Sequence, residues 1–332
     1  MSRGAIWFNP LGRTRRGGDR ITPLTLGNGQ IQVDIDPGRG ADILQVTDVA
    51  SGVGVLAATP WRARADSIRD HRMAPSTIDP ADRWLEQYRG GWQTLCPNAG
   101  PARRVGTVEV GFHGEASTSA WVVDAVDDAA ARLSIELFSV PVRIERKLRI
   151  VGASLVQKDT LINLSDLGVE LDYVSHPAFG GAFLDGRCRV ETDAATFTLD
   201  PDESGERTAP WPRSPAADGT PDLRAVPSPG QSSRAFGWLS GFTEGWYSIT
   251  NADLGLAVRV EWDARMLPHA WWWQELNASA DHPWFRRARI MAIEPASTTT
   301  SGPGRGTTLR LEPRAAVEIT IALRLSTSGP AK

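Results

Sequence analysis

Cysteine is nearly absent from this chain: Cys96 and Cys188 are its only two, they lie far apart, and they match no CxxC spacing. A disulfide framework is therefore not expected, and the usage suits a reducing, cytoplasmic setting. Long apolar runs are also missing. The opening segment Met1–Gly18 has no continuous apolar stretch ending in small residues, and no later window approaches the length that spans a bilayer, so neither a secretory leader nor a membrane partner is expected. A formal net charge of −3 gives no electrostatic reason to hold nucleic acid, and the Arg13–Arg20 cluster reads as a solvated loop. The chain has no HExxH, no paired cysteine ligands, no GxSxG elbow, no P-loop and no strand–GxGxxG–helix unit. Zinc, nucleotide and hydride chemistry thus lose their usual signatures, and neither metal nor cofactor is expected. The glycine-rich Gly302–Gly306 reads as a turn before a late strand, and no fixed-period repeat supports a propeller or solenoid.

What remains is an ordinary globular composition, 41% hydrophobic over 332 residues, enough for a sizeable core. A single domain over residues 1–332 is expected, because large β-sandwiches often exceed the usual domain size. Tryptophan is abundant, 13 against 3 tyrosines. Core filling accounts for most of these, but a flat apolar ring with a polar edge also suits stacking on the C–H faces of sugars.

Strand periodicity dominates the readable segments. Val142–Ile150 alternates apolar and charged residues except at Arg146, and the same period runs through Leu254–Trp262 and Val317–Leu325, with weaker copies at Arg132–Phe138 and Ile31–Ile35. Turn pairs such as Asn28-Gly29, Pro37-Gly38 and Asp185-Gly186 separate them. An all-β antiparallel sandwich follows. One short helix has a clear start: Asp79 caps it, Pro80 and Asp82 suit its first turn, and Trp84, Leu85 and Tyr88 form its apolar side. From 200 to 234 the chain turns rich in Pro, Ser and Gly, a surface insertion that either carries no function or borders a cleft.

Among five histidines, His71 and His282 sit in polar, loop-like surroundings. His269 precedes Trp271–Glu275, where strand alternation puts Trp271, Trp273 and Glu275 on one face and Trp272 and Gln274 on the other. His113 and His176 each follow a strand-like run and precede turn-forming residues, where a scaffold presents reactive groups. Glu294 closes the apolar run Ile290–Ile293 just before Pro295, at an expected sheet edge; a capping or salt-bridging role is open to it, as is a shifted pKa in a partly desolvated site.

Four motifs in order carry a resemblance. Arg89-Gly90-Gly91-Trp92-Gln93-Thr94-Leu95-Cys96-Pro97-Asn98-Ala99-Gly100, then His113-Gly114, then His176-Pro177-Ala178-Phe179-Gly180, then Ile293-Glu294-Pro295 resemble the galactose mutarotase-like superfamily, which includes aldose 1-epimerases, over roughly Ile31 to Leu325. The resemblance implies a large antiparallel β-supersandwich and an isomerase that interconverts α and β anomers. It implies His176 as general acid, Glu294 as general base, His113 as a supporting donor and Arg89 as a substrate-positioning cation. Asn98, Trp273, Gln274 and Glu275 are further substrate-binding candidates, Gln274 or Glu275 standing in for the family's additional aspartate. Glu115-Ala116-Ser117 stands where the phosphorylated-sugar branch has an Arg, which points to a non-phosphorylated aldohexose or, through Arg89, an acidic derivative. Two other classes stay open: a sugar-binding protein without turnover, and a sandwich-fold hydrolase or lyase, for which Glu275 or Asp263 would supply a second carboxylate. A monosaccharide is the expected partner; composition does not decide between monomer and homodimer.

Overall fold

A computed structural model describes residues 22–105, 107–200, 207–215, 222–299 and 309–327. The Arg13–Arg20 cluster and Gly302–Gly306 lie outside them. Strands paired antiparallel build two large sheets, one of ten strands and one of eight. The alternating segments sit side by side in the eight-stranded sheet, in the order Leu256–Trp262, Ala316–Thr327, Ser154–Asn163 and Val142–Val151. One face of these strands is buried and the other solvated, which is why their sequences show period two. In the ten-stranded sheet Trp92–Leu95, Val174–Gly180, Arg289–Ala296 and His269–Leu276 are successive neighbours near the middle. Val174–Gly180 is buried at every position, so it carries no alternation to read.

One apolar cluster running from Leu26 to Leu325 joins the two sheets, with Phe179, Trp272, Met291 and Ile293 from the ten-stranded sheet and Ile144, Leu161, Val258 and Ile321 from the eight-stranded one. A second cluster, with Trp84, Tyr88, Trp238, Trp271 and Ala292, occupies the opposite face of the ten-stranded sheet. Arg146, the break in the alternation, turns inward. Its Nε and Nη2 donate to Asp159 at 2.9 and 2.7 Å, its Nη1 reaches the Ala41 carbonyl, and Nη2 also contacts the Thr94 hydroxyl. Its guanidinium lies over the Trp121 ring. A charge is tolerated at this apolar position because each donor is met and the carboxylate balances it.

The expected helix is Pro80–Glu86, with the Asp79 carboxylate accepting from the Ala81 and Asp82 N–H groups. A second helix, Arg62–Arg69, has Trp61 at its N-cap position, no side-chain cap and no acid in its first turn; its start is weakly marked, and it buries Ala65 and Ile68. Within the 200–234 insertion, Arg207–Pro210 adds an edge strand to the ten-stranded sheet and Leu223 and Val226 enter the core; 201–206 and 216–221 lie outside the described residues.

Candidate functional site

Antiparallel register carries one row of side chains across the face of the ten-stranded sheet that bears the second cluster. Trp238 pairs with Trp271, and Trp271 with Glu294. The register joining Val174 to Ala296 and Ala178 to Ala292 sets Glu294 opposite His176, and His176 pairs with Gln93. Continued past Ile43 and Trp92, the row reaches Asp42 and its partner Asp36. His176 and Glu294 therefore stand mid-strand in a sheet interior, where strand ends and a sheet edge were expected. The prolines that suggested termination, Pro177 and Pro295, lie inside central strands. A proline there removes a ladder donor, and the Val174–Gly180 to Arg289–Ala296 pairing indeed skips from Val174 to Ala178.

His176 Nε2 lies 3.5 Å from Glu294 Oε1. His176 Nδ1 and Glu294 Oε2 are both buried without a hydrogen-bond partner. Burial lowers the His176 pKa to about 4 and raises that of Glu294 well above the carboxylate range, so burial favours the neutral form of each partner.

Above this pair lies a cavity of about 220 Å³. The capped helix and the short segment after it bring Trp84, Leu85 and Tyr88 to it, loops bring Pro101, Phe112, His113 and Trp284, and the sheet brings Phe236, Trp271 and Trp273. The rings touch in sequence: Tyr88 meets His176 edge-on at 5.9 Å, and Trp273 lies between His176 and Trp284 at 5.8 and 5.4 Å. His113 reaches the cavity from a left-handed turn residue (φ +59) ahead of Gly114 (φ +74), where a Cβ would stand 2.4 Å from the Cys96 carbonyl oxygen; only glycine lets the loop pack so closely. The Gly100 N–H donates to His113 Nδ1 at 2.9 Å, which puts the proton of the neutral ring on Nε2.

Four of the expected substrate-binding residues are not among the cavity lining. Arg89 lies among carboxylates, 2.5 Å from Asp36, 3.6 Å from Asp42 and 3.7 Å from Asp66. Gly90 fixes this placement, because a Cβ there would meet the Ala57 carbonyl oxygen at 2.2 Å. Burial raises Asp42 to about 6. Asn98 donates to the Gly100, Pro101 and Gly111 carbonyls, Gln274 donates to Ser233, and Glu275 accepts from the Ala278 and Ser279 N–H groups and the Ser279 hydroxyl. These three organise loops and strand ends around the cavity. His113, His176, Trp273 and Glu294 are brought together as its lining.

Tyr88 is the residue that motif reading passed over. Its hydroxyl is buried without a partner, and its pKa is raised well above the usual value by burial and by the charges of Glu294 and Asp42, so it stays a proton donor. A tyrosine directly ahead of Arg89-Gly90-Gly91, in a chain with three tyrosines, was the available signal. Among the described residues no arginine or lysine lines the cavity, nor any carboxylate besides Glu294; Asp263 is bound to Arg265 at the surface. Among them, too, no group of three His, Cys, Asp or Glu is arranged to hold a metal, and no helix is long and apolar enough to cross a membrane.

The family described as a domain of unknown function, DUF4432, matches residues 18–325. The chain belongs to the DUF4432 family. No curated protein matches it. Among solved structures, the Slr1438 protein of Synechocystis sp. PCC 6803 superposes with a TM-score of 0.67 at 19% identity, covering 98% of this chain and 100% of its own. A galactose mutarotase related enzyme of Lactobacillus acidophilus gives 0.65 at 14% identity, covering 94% and 100%. A galactose mutarotase-like protein of Clostridium acetobutylicum gives 0.66 at 15%, covering 92% and 95%. This DUF4432 chain thus has the galactose mutarotase-like sandwich fold, as its ordered motifs implied.

Proposed function

We propose that this DUF4432 protein is an aldose 1-epimerase-like mutarotase acting on a non-phosphorylated sugar, with Glu294 as base and His176 as acid. The observation that carries the reading is the buried carboxyl–imidazole pair 3.5 Å apart under an aromatic cavity of about 220 Å³, a volume on the scale of one sugar ring. Ring opening removes the proton from the C1 hydroxyl, protonates the ring oxygen and breaks the C1–O5 bond. The open aldehyde then turns about C1–C2, and the same pair working in reverse closes the other anomer, with no net proton gained.

The pair needs one proton in total. Burial favours the neutral pair, with that proton on the carboxyl; passing it across the 3.5 Å between Glu294 Oε1 and His176 Nε2 yields the imidazolium and carboxylate that opening requires. Tyr88 and His113 are then donors that orient the ring. The absence of a second carboxylate in the described lining counts against glycosidic hydrolysis, which would want two. The test is anomer exchange by NMR or polarimetry on a panel of free sugars. Wild type is expected to accelerate exchange, and His176→Ala and Glu294→Gln to lose about 10² to 10⁴ of that rate. Wild type that speeds no sugar, or two variants with undiminished activity, would overturn the proposal.

A further inference from the structure

An aldohexose carries a hydroxyl on nearly every carbon, and each one buried without a partner weakens binding. The cavity has few partners to offer. Once His176 and Glu294 engage the ring oxygen and the C1 hydroxyl, Tyr88 and His113 are, among the described residues, the only remaining lining side chains with polar groups other than indoles. Two of the four lining indoles spend their N–H elsewhere: Trp84 donates to the Ser117 hydroxyl and Trp271 to the Thr298 carbonyl, so these rings have no N–H left for a sugar. Little of the nearby backbone is left over: the Gly100 N–H donates to His113, the Gly100 carbonyl accepts from both the His113 N–H and Asn98, and the Pro101 carbonyl accepts from Asn98 and keeps one lone pair. With Arg89 locked to Asp36, no arginine or lysine among the described lining residues meets an acidic group.

Resting on the mutarotase reading for the position of the ring, we infer that the substrate is a deoxy aldose, a sugar in which hydrogen replaces one or more of the hydroxyls away from C1. Its bare C–H edge lies against the aromatic wall, where a hydroxyl would lose its water without finding a partner.

Calorimetric titration of wild type with matched pairs, glucose and galactose against their 6-deoxy, 3-deoxy and 2-deoxy counterparts, reads this without reference to turnover. At least one deoxy sugar is expected to bind about tenfold or more tightly than its parent, and glucuronate not to bind. Trp273→Ala is expected to weaken that deoxy sugar by about tenfold; unchanged affinity would put the site elsewhere and overturn the inference. Parents that bind as tightly as every deoxy counterpart would overturn it too. Preferential deoxy binding without accelerated exchange by NMR would support the ligand class and defeat the mutarotase reading alone; binding of no sugar would defeat both.

Discussion

His176 and Glu294 show how burial favours the neutral form of a titratable group. A histidine whose pKa falls to about 4 on folding from an unfolded value of about 6.5 binds its proton more tightly in the unfolded chain. Between those pH values stability therefore rises with pH, and the contribution lost as pH falls from 6.5 to 4 is roughly 3 kcal/mol. Urea denaturation across this range is expected to show a shallower pH dependence for His176→Asn than for wild type. Glu294 works in the opposite sense: its raised pKa gives stability that is full below about 4.5 and lost as pH rises through the folded value, so Glu294→Gln is expected to be more stable than wild type at alkaline pH while losing activity. Tyr88→Phe removes a hydroxyl that has no partner in the fold. It is expected to leave the thermal midpoint within about 2 °C, since no bond is lost, while lowering kcat/KM about tenfold by removing a donor to the sugar.

At the scale of elements, the site depends on a helix shorter than two turns. Pro80–Glu86 supplies two cavity residues and leads straight into Tyr88 and Arg89, and its entry is held by Asp79. Asp79→Ala is expected to cost about 1 kcal/mol by thermal or urea denaturation and to raise KM more than it lowers kcat, because the aromatic wall moves while the acid and base stay on the sheet. The capped helix was legible in the sequence because its start signals are local. Arg62–Arg69 was not, since its start is weakly marked. The central strands were the hardest to read. Full burial erased period two in Val174–Gly180, and Pro177 and Pro295 read as terminators although neighbouring strands hold them in mid-sheet.

At the scale of the whole molecule, Arg146 joins the eight-stranded sheet to the strand that carries Gln93 and Thr94. Arg146→Met leaves the buried Asp159 carboxylate without its cation and is expected to cost about 3–5 kcal/mol; the double variant Arg146→Met with Asp159→Leu is expected to recover much of it, measured in a double-mutant cycle by urea denaturation. The sandwich class, the capped helix and the ordered motifs containing His113, His176 and Glu294 were determined by the sequence alone, because periodicity, capping and short motifs are properties of neighbours along the chain. Whether Arg89 faces a substrate or a cluster of aspartates was decided only by tertiary structure, as was the gathering of Tyr88, Trp84, Trp273 and Trp284 around one cavity. Those outcomes depend on strand register and on which polar groups find partners, and both are set between segments that lie far apart in the chain.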